Sequence, residues 1–466
     1  MGRHQRNSAP HHQPRVVATT GGLKVLEHPM NTDTTARYWR GFADWASTPF
    51  ALPDLAVART EAAFIDTIAC ILAGFTTPAF SVARAMDHSV SGRAFAFATA
   101  GHAFDFDDYD VPSIGHPSVV MVPTVLALVD GSHSISDLFR AYVTGVEAMA
   151  RMGETVNPAH YEAGWHATAT LGGIGAAAAA AAMLRLNSEQ TFVALSLATG
   201  MAGGLKAQFG SMGKPLNAGF AARRGIDAAI LAKAGADASE AVFGAKGFAG
   251  LFHGHRPTPI TQPGAPLSVI QHGLIAKPAP CCGYLMRSLQ MAEDIRTTEA
   301  PGSDTIEKVI LRIPPRNAAV INQPIPSTPD QARFSAPYCV SAALLNGMPG
   351  LADFQPEALF RPDVIALARK IDLQPLPANL SPEDLSPDDP DHIEVHLTSG
   401  KVLKRTEGVV LGSLARPLGR DDLRRKLDDC IALLPAPATA VAGRVMAIST
   451  CPDPASFVAD LWRHSS

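Results

Sequence analysis

The sequence lacks a marked excess of charge of either sign, since 39 basic and 43 acidic side chains leave a formal net charge of −4 over 466 residues. Nucleic acids and anionic membranes select proteins with clustered positive charge, so neither is an expected partner. Long apolar runs are also missing. Residues 167–184, the nearest candidate, are mostly alanine, glycine and threonine and too weakly apolar to span a bilayer.

Cysteine is scarce: there are six, and no two have the Cys-x-x-Cys spacing of many zinc and redox sites. A chain of this length buries enough apolar surface to need no disulfides, so we expect reduced thiols in a cytoplasmic protein. Residues 1–29 scatter His, Pro, Arg and Gly without a period and without a signal-peptide core. They are predicted to form a disordered N-terminal extension.

Apolar residues at helical spacing are abundant. The helices predicted on this basis cover residues 38–46, 55–73, 137–152, 174–186, 188–200, 218–233 and 420–434. Gly74 is predicted to end the second helix. The alanine-rich segment 174–186 combines high helix propensity with very small side chains, which suits the centre of a helical bundle.

The pattern changes from about residue 278. Residues 306–313 roughly alternate apolar and polar side chains and end at a Pro-Pro pair, which predicts a strand. Residues 392–397 and 401–405 flank a Ser-Gly turn and predict a β-hairpin. With helices predicted at 336–345 and 362–370, this part of the chain is expected to be α+β.

Residues 101–118, the acidic stretch, hold four aspartates and two histidines, directly before an apolar run. Ionisable groups beside a hydrophobic element are costly to desolvate, so they are either solvated or functional. A solvated acidic loop that caps a helix is the alternative for this stretch taken alone.

Other stretches carry further candidate groups. His166 precedes the alanine-rich helix, where free backbone N–H groups favour an anion. Lys214 lies between a glycine and a proline, which suits a carboxylate clamp, although a solvated loop lysine is the alternative. Lys277 and the pair Cys281-Cys282 lie near the change of pattern, where a cleft between domains would bind a small ligand.

Together these stretches resemble the MmgE/PrpD family, which includes 2-methylcitrate dehydratase, cis-aconitate decarboxylase and iminodisuccinate epimerase. The matching motifs follow one another in the family's order between about residue 30 and residue 429. They are His102-Ala103-Phe104-Asp105-Phe106-Asp107-Asp108, His116-Pro117-Ser118, Gly164-Trp165-His166-Ala167-Thr168-Ala169-Thr170-Leu171-Gly172, Lys214-Pro215-Leu216, Lys277 with Pro280-Cys281-Cys282, and Phe334-Ser335-Ala336-Pro337-Tyr338.

The resemblance implies a mainly α fold. A large all-helical domain would be formed by both chain ends, residues 30–274 and 409–466, with residues 275–408 as a smaller α+β lid domain. It also implies a homodimer that uses no metal and no organic cofactor. The predicted catalytic residues are Asp105, His116, His166, Lys214 and Tyr338, and the predicted substrate-binding residues are Lys277, Cys282 and Arg333.

The family's substrates are small di- and tricarboxylic acids, and the resemblance implies removal of a proton next to a carboxylate. His116 is predicted to be the base, oriented by Asp105, while His166 and the two lysines stabilise the negative charge that develops. Tyr338 is predicted to return the proton or to protonate a departing hydroxyl.

A 2-methylcitrate dehydratase-like lyase is the favoured reaction, with a dicarboxylate epimerase or a cis-aconitate decarboxylase-like lyase as the alternative. The chain has Cys282 where decarboxylase-type members carry histidine, and Tyr109 where they carry threonine. Asn217 stands where many members carry histidine or tyrosine. These differences weaken the decarboxylase reading.

A metal-dependent hydrolase is a further alternative, through His116 and the aspartates of residues 105–108. The aspartate run lacks the glycine of an EF-hand loop, and no His-Glu-x-x-His motif is present. His392 and His396 lie in a predicted strand, about 13 Å apart, too far to share an ion. No metal site is therefore predicted.

Overall fold

A computed structural model of the chain describes residues 32–244, 246–252, 261–377, 386, 388–434 and 439–463. The extension predicted at residues 1–29 lies outside them. The helices before residue 275 are α1 (Thr32–Ser47), α2 (Asp54–Gly74), α3 (Pro78–Arg84), α4 (Val90–His102), α5 (Ser118–Leu128), α6 (Ile135–Val156), α7 (Ala159–Glu162), α8 (Ala167–Met183), α9 (Ser188–Gly200), α10 (Gly213–Lys233), α11 (Phe248–Leu251) and α12 (Ser268–Gln271). The later helices are α13 (Met286–Glu299), α14 (Pro315–Val320), α15 (Pro329–Ala332), α16 (Ala336–Asn346), α17 (Pro362–Ala368), α18 (Arg420–Ile431), α19 (Thr439–Met446) and α20 (Pro454–Arg463).

The alanine-rich helix α8 lies in the centre of the helical part, buried along nearly its whole length. It packs against α5, α6, α9 and α10. Small residues allow this crowding. Gly225 of α10 has no Cβ atom, and one added there would lie only 2.3 Å from the Cβ atom of Ala176, which is too close. The helix begins at Ala167 rather than at the predicted residue 174, because buried threonines and glycines in its first turns hid the apolar period.

Gly74 is the last residue of α2, but it does not adopt the left-handed conformation typical of a glycine that follows a helix. The helix includes Gly74, and the next residue, Phe75, still has right-handed helical dihedrals. A Cβ atom on Gly74 would lie 2.0 Å from the carbonyl oxygen of Ala100. The glycine is therefore required for the close approach of α4 to α2, and α4 leads directly into the acidic stretch.

The four strands are β1 (Ile306–Ile313), β2 (Ile371–Pro375), β3 (Asp391–Leu397) and β4 (Val402–Glu407). They form one sheet in the order β2-β1-β3-β4, in which β2 is parallel to β1 and the other neighbours are antiparallel. The predicted strand and hairpin are confirmed, whereas β2 was not predicted. One face carries buried Ile306, Val309 and Leu311, and α13 and α16 contact the sheet.

Buried apolar side chains form two large cores. One joins α1, α2, α4–α6 and α8–α10 with α18 from the C-terminal part, and the other surrounds the sheet, α13 and α16. A mainly α chain with one small sheet agrees with the predicted fold class. The division into domains at residues 275 and 409 stays a prediction.

In the described part of the chain, no single helix is long and apolar enough to cross a membrane. The pair α2 and α3 reaches the required length and composition only when taken together, and it bends by 91° at its break. Most residues of α2 are buried in the helical core.

We predict that Gly74→Ala lowers the free energy of unfolding by roughly 1–3 kcal/mol, because the added methyl group overpacks the contact with Ala100. Gly41→Ala is the matched control, since Gly41 is exposed within α1 and nothing lies within 4 Å of its added Cβ atom. The Gly41→Ala substitution should raise the free energy of unfolding by about 0.5–1 kcal/mol, because glycine within a helix is less stable than alanine. Denaturant unfolding measures both, and equal stability of the two variants would contradict the close-approach role.

Candidate active site

The acidic stretch turns sharply after α4 and brings its side chains inward. Asp105 adopts left-handed backbone dihedrals, with φ 52°, a conformation that aspartate tolerates better than most residues. Tyr109 exchanges two backbone hydrogen bonds with Ile275, of 3.1 and 2.8 Å. The stretch is thereby tied to the segment that carries Lys277, which was predicted to lie at the domain junction.

The carboxylate of Asp105 lies between two lysine ammonium groups. Its Oδ1 atom is 2.6 Å from Lys214 Nζ and 2.8 Å from Lys277 Nζ. Lys277 also donates to the backbone carbonyl of Asp105, at 2.5 Å. Burial opposes ionisation, but the two ammonium groups outweigh it and hold the pKa of Asp105 below its usual range.

Asp105 was predicted to orient His116, but the carboxylate that contacts Nδ1 of His116 is that of Asp107. His116 Nδ1 lies 3.1 Å from Asp107 Oδ2 and 2.8 Å from the carbonyl oxygen of Asp108. A carbonyl only accepts, so we infer that Nδ1 carries the hydrogen and Nε2 has the lone pair. Nε2 is 3.8 Å from Asp105 Oδ1.

Burial lowers the pKa of His116 to about 4, and the charge of Lys277 acts in the same direction while Asp107 opposes it. The imidazole is therefore neutral at pH 7. The His116 side chain is 15% exposed, and the lone pair on Nε2 is available. This imidazole is therefore suited to accept a proton.

His102, which was not predicted as a site residue, shares Asp107 with His116. Its Nδ1 atom is 2.9 Å from Asp107 Oδ2, and its ring centroid is 4.6 Å from that of His116. Burial raises the pKa of Asp107, but the two imidazoles outweigh this effect and keep the carboxyl ionised. Asp107 therefore orients two histidines at once.

His166 is the residue immediately before α8, as its sequence position indicated. Asn217 Nδ2, from α10, lies 3.2 Å from His166 Nδ1. With the amide as donor, Nδ1 accepts and Nε2 carries the hydrogen. Burial, followed by the charges of His102 and Lys214, holds the pKa of His166 well below its usual value. His166 is thus a neutral donor beside the cavity.

The cavity at this place encloses about 470 Å³, including its open mouth. Among the predicted site residues it is lined by Asp105, His116, His166, Lys214 and Cys282. Further lining residues are Tyr109, Ile114, Gly115, Tyr161, Thr168, Phe209, Gly283, Tyr284 and Phe334. The ammonium group of Lys214 is 5.1 and 5.0 Å from the ring centroids of Phe209 and Phe334.

Lys277 contacts the site through Asp105 and is fully buried. Burial opposes its charge, but Asp105 and Asp107 outweigh this and raise its pKa. Burial, followed by the charge of Asp105, raises the pKa of the Cys282 thiol to about 12. Cys282 is therefore a lining thiol and not a thiolate nucleophile.

The structure places Tyr338 outside the cavity lining, so the role predicted for it stays a prediction. Its hydroxyl donates to the backbone carbonyl of Asp353 at 2.5 Å, and the side chain is fully buried. Burial also raises the pKa of this phenol. Tyr338 is not among the residues that line the cavity, because the first turn of α16 directs its ring towards Phe354.

Arg333 is also absent from the cavity lining, and its predicted contact with substrate stays a prediction. Its guanidinium pairs with Asp330 at 3.0 Å and lies over the rings of Phe104 and Phe354. Its backbone carbonyl accepts from the Cys282 N–H at 3.0 Å. The residue therefore positions the segment around Cys282.

Four side chains have the spacing of a metal site. Ligand atoms of His102, Asp105, Asp107 and His116 all lie within 4.8 Å of one another. However, Asp105 already accepts from two ammonium groups, and Nδ1 of each histidine faces an acceptor. Two fixed positive charges oppose a divalent cation, so the arrangement suits an acid–base site better than a metal centre.

Two family models match the chain: the MmgE/PrpD N-terminal domain over residues 41–260 and the MmgE/PrpD C-terminal domain over residues 279–446. The chain belongs to the MmgE/PrpD family, which confirms the resemblance seen in its motifs.

Several relatives are named cis-aconitate decarboxylase. The protein of Homo sapiens is 27% identical over 406 residues, which are 80% of this chain and 83% of that protein. The protein of Mus musculus is 28% identical over 347 residues, 72% of this chain and 70% of that protein. The protein of Aspergillus terreus is 32% identical over 182 residues, 37% of this chain and 35% of that protein.

We predict that the His116 imidazole stays neutral in the native protein until the pH falls to about 4. An unfolded chain binds that proton near pH 6.5, so this group's contribution to stability is complete above pH 6.5 and is lost as the pH falls towards 4. Histidine-selective NMR titration measures this pKa, with the urea-unfolded protein as control. A native titration midpoint near 6.5 would contradict the proposed environment.

Proposed function

We propose that the protein is a cofactor-independent lyase that acts on a small di- or tricarboxylic acid by acid–base catalysis. The proposal rests on two groups that lie together in one cavity. One is the neutral imidazole of His116, whose Nε2 atom has the lone pair, and the other is the carboxylate of Asp105, which binds Lys214. Such a cavity provides a proton acceptor together with positive charge for a carboxylate.

Anion binding is supported by the groups that surround the cavity. Lys214 supplies an ammonium group at its wall, and His166 supplies an N–H donor. Phe209 and Phe334 also line the cavity, and their stacked rings, with centroids 5.5 Å apart, add apolar surface to its wall. Hydrogen bonds to charged groups are roughly twice as strong as those between neutral groups, so these donors favour a small, negatively charged substrate.

Decarboxylation of cis-aconitate is one candidate, supported by relatives of that name that match 72–80% of the chain. In this reaction one carboxylate leaves as CO₂, its bonding electrons form a new double bond, and the former double bond takes up one proton. The bound trianion would raise the pKa of His116, so that the imidazole could deliver this proton.

Dehydration of a 2-methylcitrate-like acid is the second candidate. Its first step is removal of a proton next to a carboxylate, and the free Nε2 of neutral His116 suits that step. The departing hydroxide must also receive a proton. Tyr109 and Tyr284 line the cavity, and both are therefore better placed for this than Tyr338.

The test is incubation with each acid in D₂O, followed by proton NMR. Decarboxylation of cis-aconitate should yield a methylene-substituted dicarboxylate with one deuterium, together with CO₂. Dehydration should yield an alkene with loss of water and no CO₂. An epimerase would return a product of substrate mass with one deuterium and no alkene. No turnover of any di- or tricarboxylic acid, and no rise in melting temperature on adding one, would contradict the proposal.

We predict that His166→Ala and Lys214→Ala fold normally and lose activity by about 10²–10³-fold, because each removes a group that stabilises the transition state. Tyr338→Phe is the matched control, since its hydroxyl faces the carbonyl of Asp353. We expect its kcat/KM to stay within a few-fold of wild type. Near-wild-type activity in either alanine variant would show that the replaced residue has no role in the site. A large loss of activity in Tyr338→Phe would support the catalytic role that the sequence predicted for Tyr338.

A further inference from the structure

A third lysine ammonium is buried behind the site, and the proposed reaction does not use it. Lys426 belongs to α18 and is 5% exposed. Its Nζ atom donates to Asp66 Oδ1 and to the carbonyl oxygen of Phe106, both at 2.6 Å, and to that of Lys277 at 3.2 Å. One ammonium group therefore connects α2, α18, the acidic stretch and the segment around residue 277.

Both carbonyl groups belong to residues at the centre of the site. Phe106 lies between Asp105 and Asp107, so its carbonyl fixes the peptide that joins the two functional carboxylates. The carbonyl of Lys277 belongs to the residue whose side chain binds Asp105. A shift of either carbonyl would change the distances among these groups and the orientation of His116.

Stability alone is a weak reason for this arrangement. Replacing both partners of a buried ion pair by apolar or neutral residues is often neutral or even stabilising. Lys426 lies on the apolar face of α18, beside buried Leu423, Leu427 and Cys430, where an apolar side chain would be expected. A cation at this position is explained by the two carbonyl groups that it holds.

We infer that Lys426, held by Asp66, is a positioning residue of the active site. It fixes the backbone on both sides of Asp105, and through Asp107 it sets the geometry of His116. The inference rests on the proposed function for its effect on turnover. Its structural part concerns only the arrangement of the histidines and applies whatever the reaction is.

The test is the double variant Lys426→Met with Asp66→Asn, which removes both charges together. We expect a loss on the order of 10²-fold in kcat with little change in KM, because small displacements of reacting groups are costly. The control is Arg287→Met with Asp391→Asn in the smaller, sheet-containing part. Arg287 is a buried cation that lies 3.8 Å from its carboxylate and donates to the carbonyls of Ser386 and Asp389, so the chemistry removed is similar.

Unchanged kcat in the Lys426 double variant, or equal losses in both double variants, would overturn the inference. If the double variant does not fold, Lys426→Arg replaces it. This substitution keeps the charge beside Asp66 but moves its donors, so kcat should fall while KM is retained, and unchanged kcat would again overturn the inference.

If wild type turns over no carboxylic acid, the proposed function fails, and the inference is then judged by histidine-selective NMR. The ring resonances of His102 and His116 should shift in the Lys426 variant and stay unchanged in the Arg287 control. Unchanged resonances in both variants would overturn the positioning role independently of activity.

Discussion

The Asp105 carboxylate between two lysine ammonium groups is the interaction on which the site depends. Both lysines are almost fully buried, and buried charges are tolerated only when they are paired and hydrogen-bonded. Asp105 and Asp107 provide two negative charges against the two ammonium groups, while the pKa shifts leave the three neighbouring histidines neutral. The resting site is therefore close to electrically balanced. An anionic substrate disturbs that balance and raises the proton affinity of the nearest imidazole.

The fold brings together residues that are far apart in sequence. His166 stands before α8 and Lys214 lies in the first turn of α10, and these two helices pack directly against each other. Alanine and glycine at their contact let both helix N-termini approach the acidic stretch. Asp105 reaches the same point because α4 packs closely on α2 at Gly74. The composition of the helices thus determines where the charged groups meet.

The sequence predicted several residues of the site, and the features that it did not predict were missed for physical reasons. His116, His166 and Lys214 stood out because polar groups in short motifs preceded helices or apolar runs, and they do meet at the cavity. The direction of the Tyr338 hydroxyl could not be predicted, since it is set by a carbonyl brought close through tertiary packing. Lys426 was missed because a lysine on a helix is usually solvated. Strand β2 was missed because its five residues end at a proline and their parallel partner is distant in sequence.

The three departures from the family's pattern lie at or beside the cavity, and they leave Lys214 in its wall. Tyr109 and Cys282 line the wall, and Asn217 contacts the inner nitrogen of His166. Under the proposed function, these groups affect how a proton is delivered and which tautomer is present, whereas the Lys214 ammonium group binds negative charge. Recognition of a carboxylate and the outcome of the reaction are therefore assigned to different side chains. Exchange of the first set can change the reaction while the substrate class is retained.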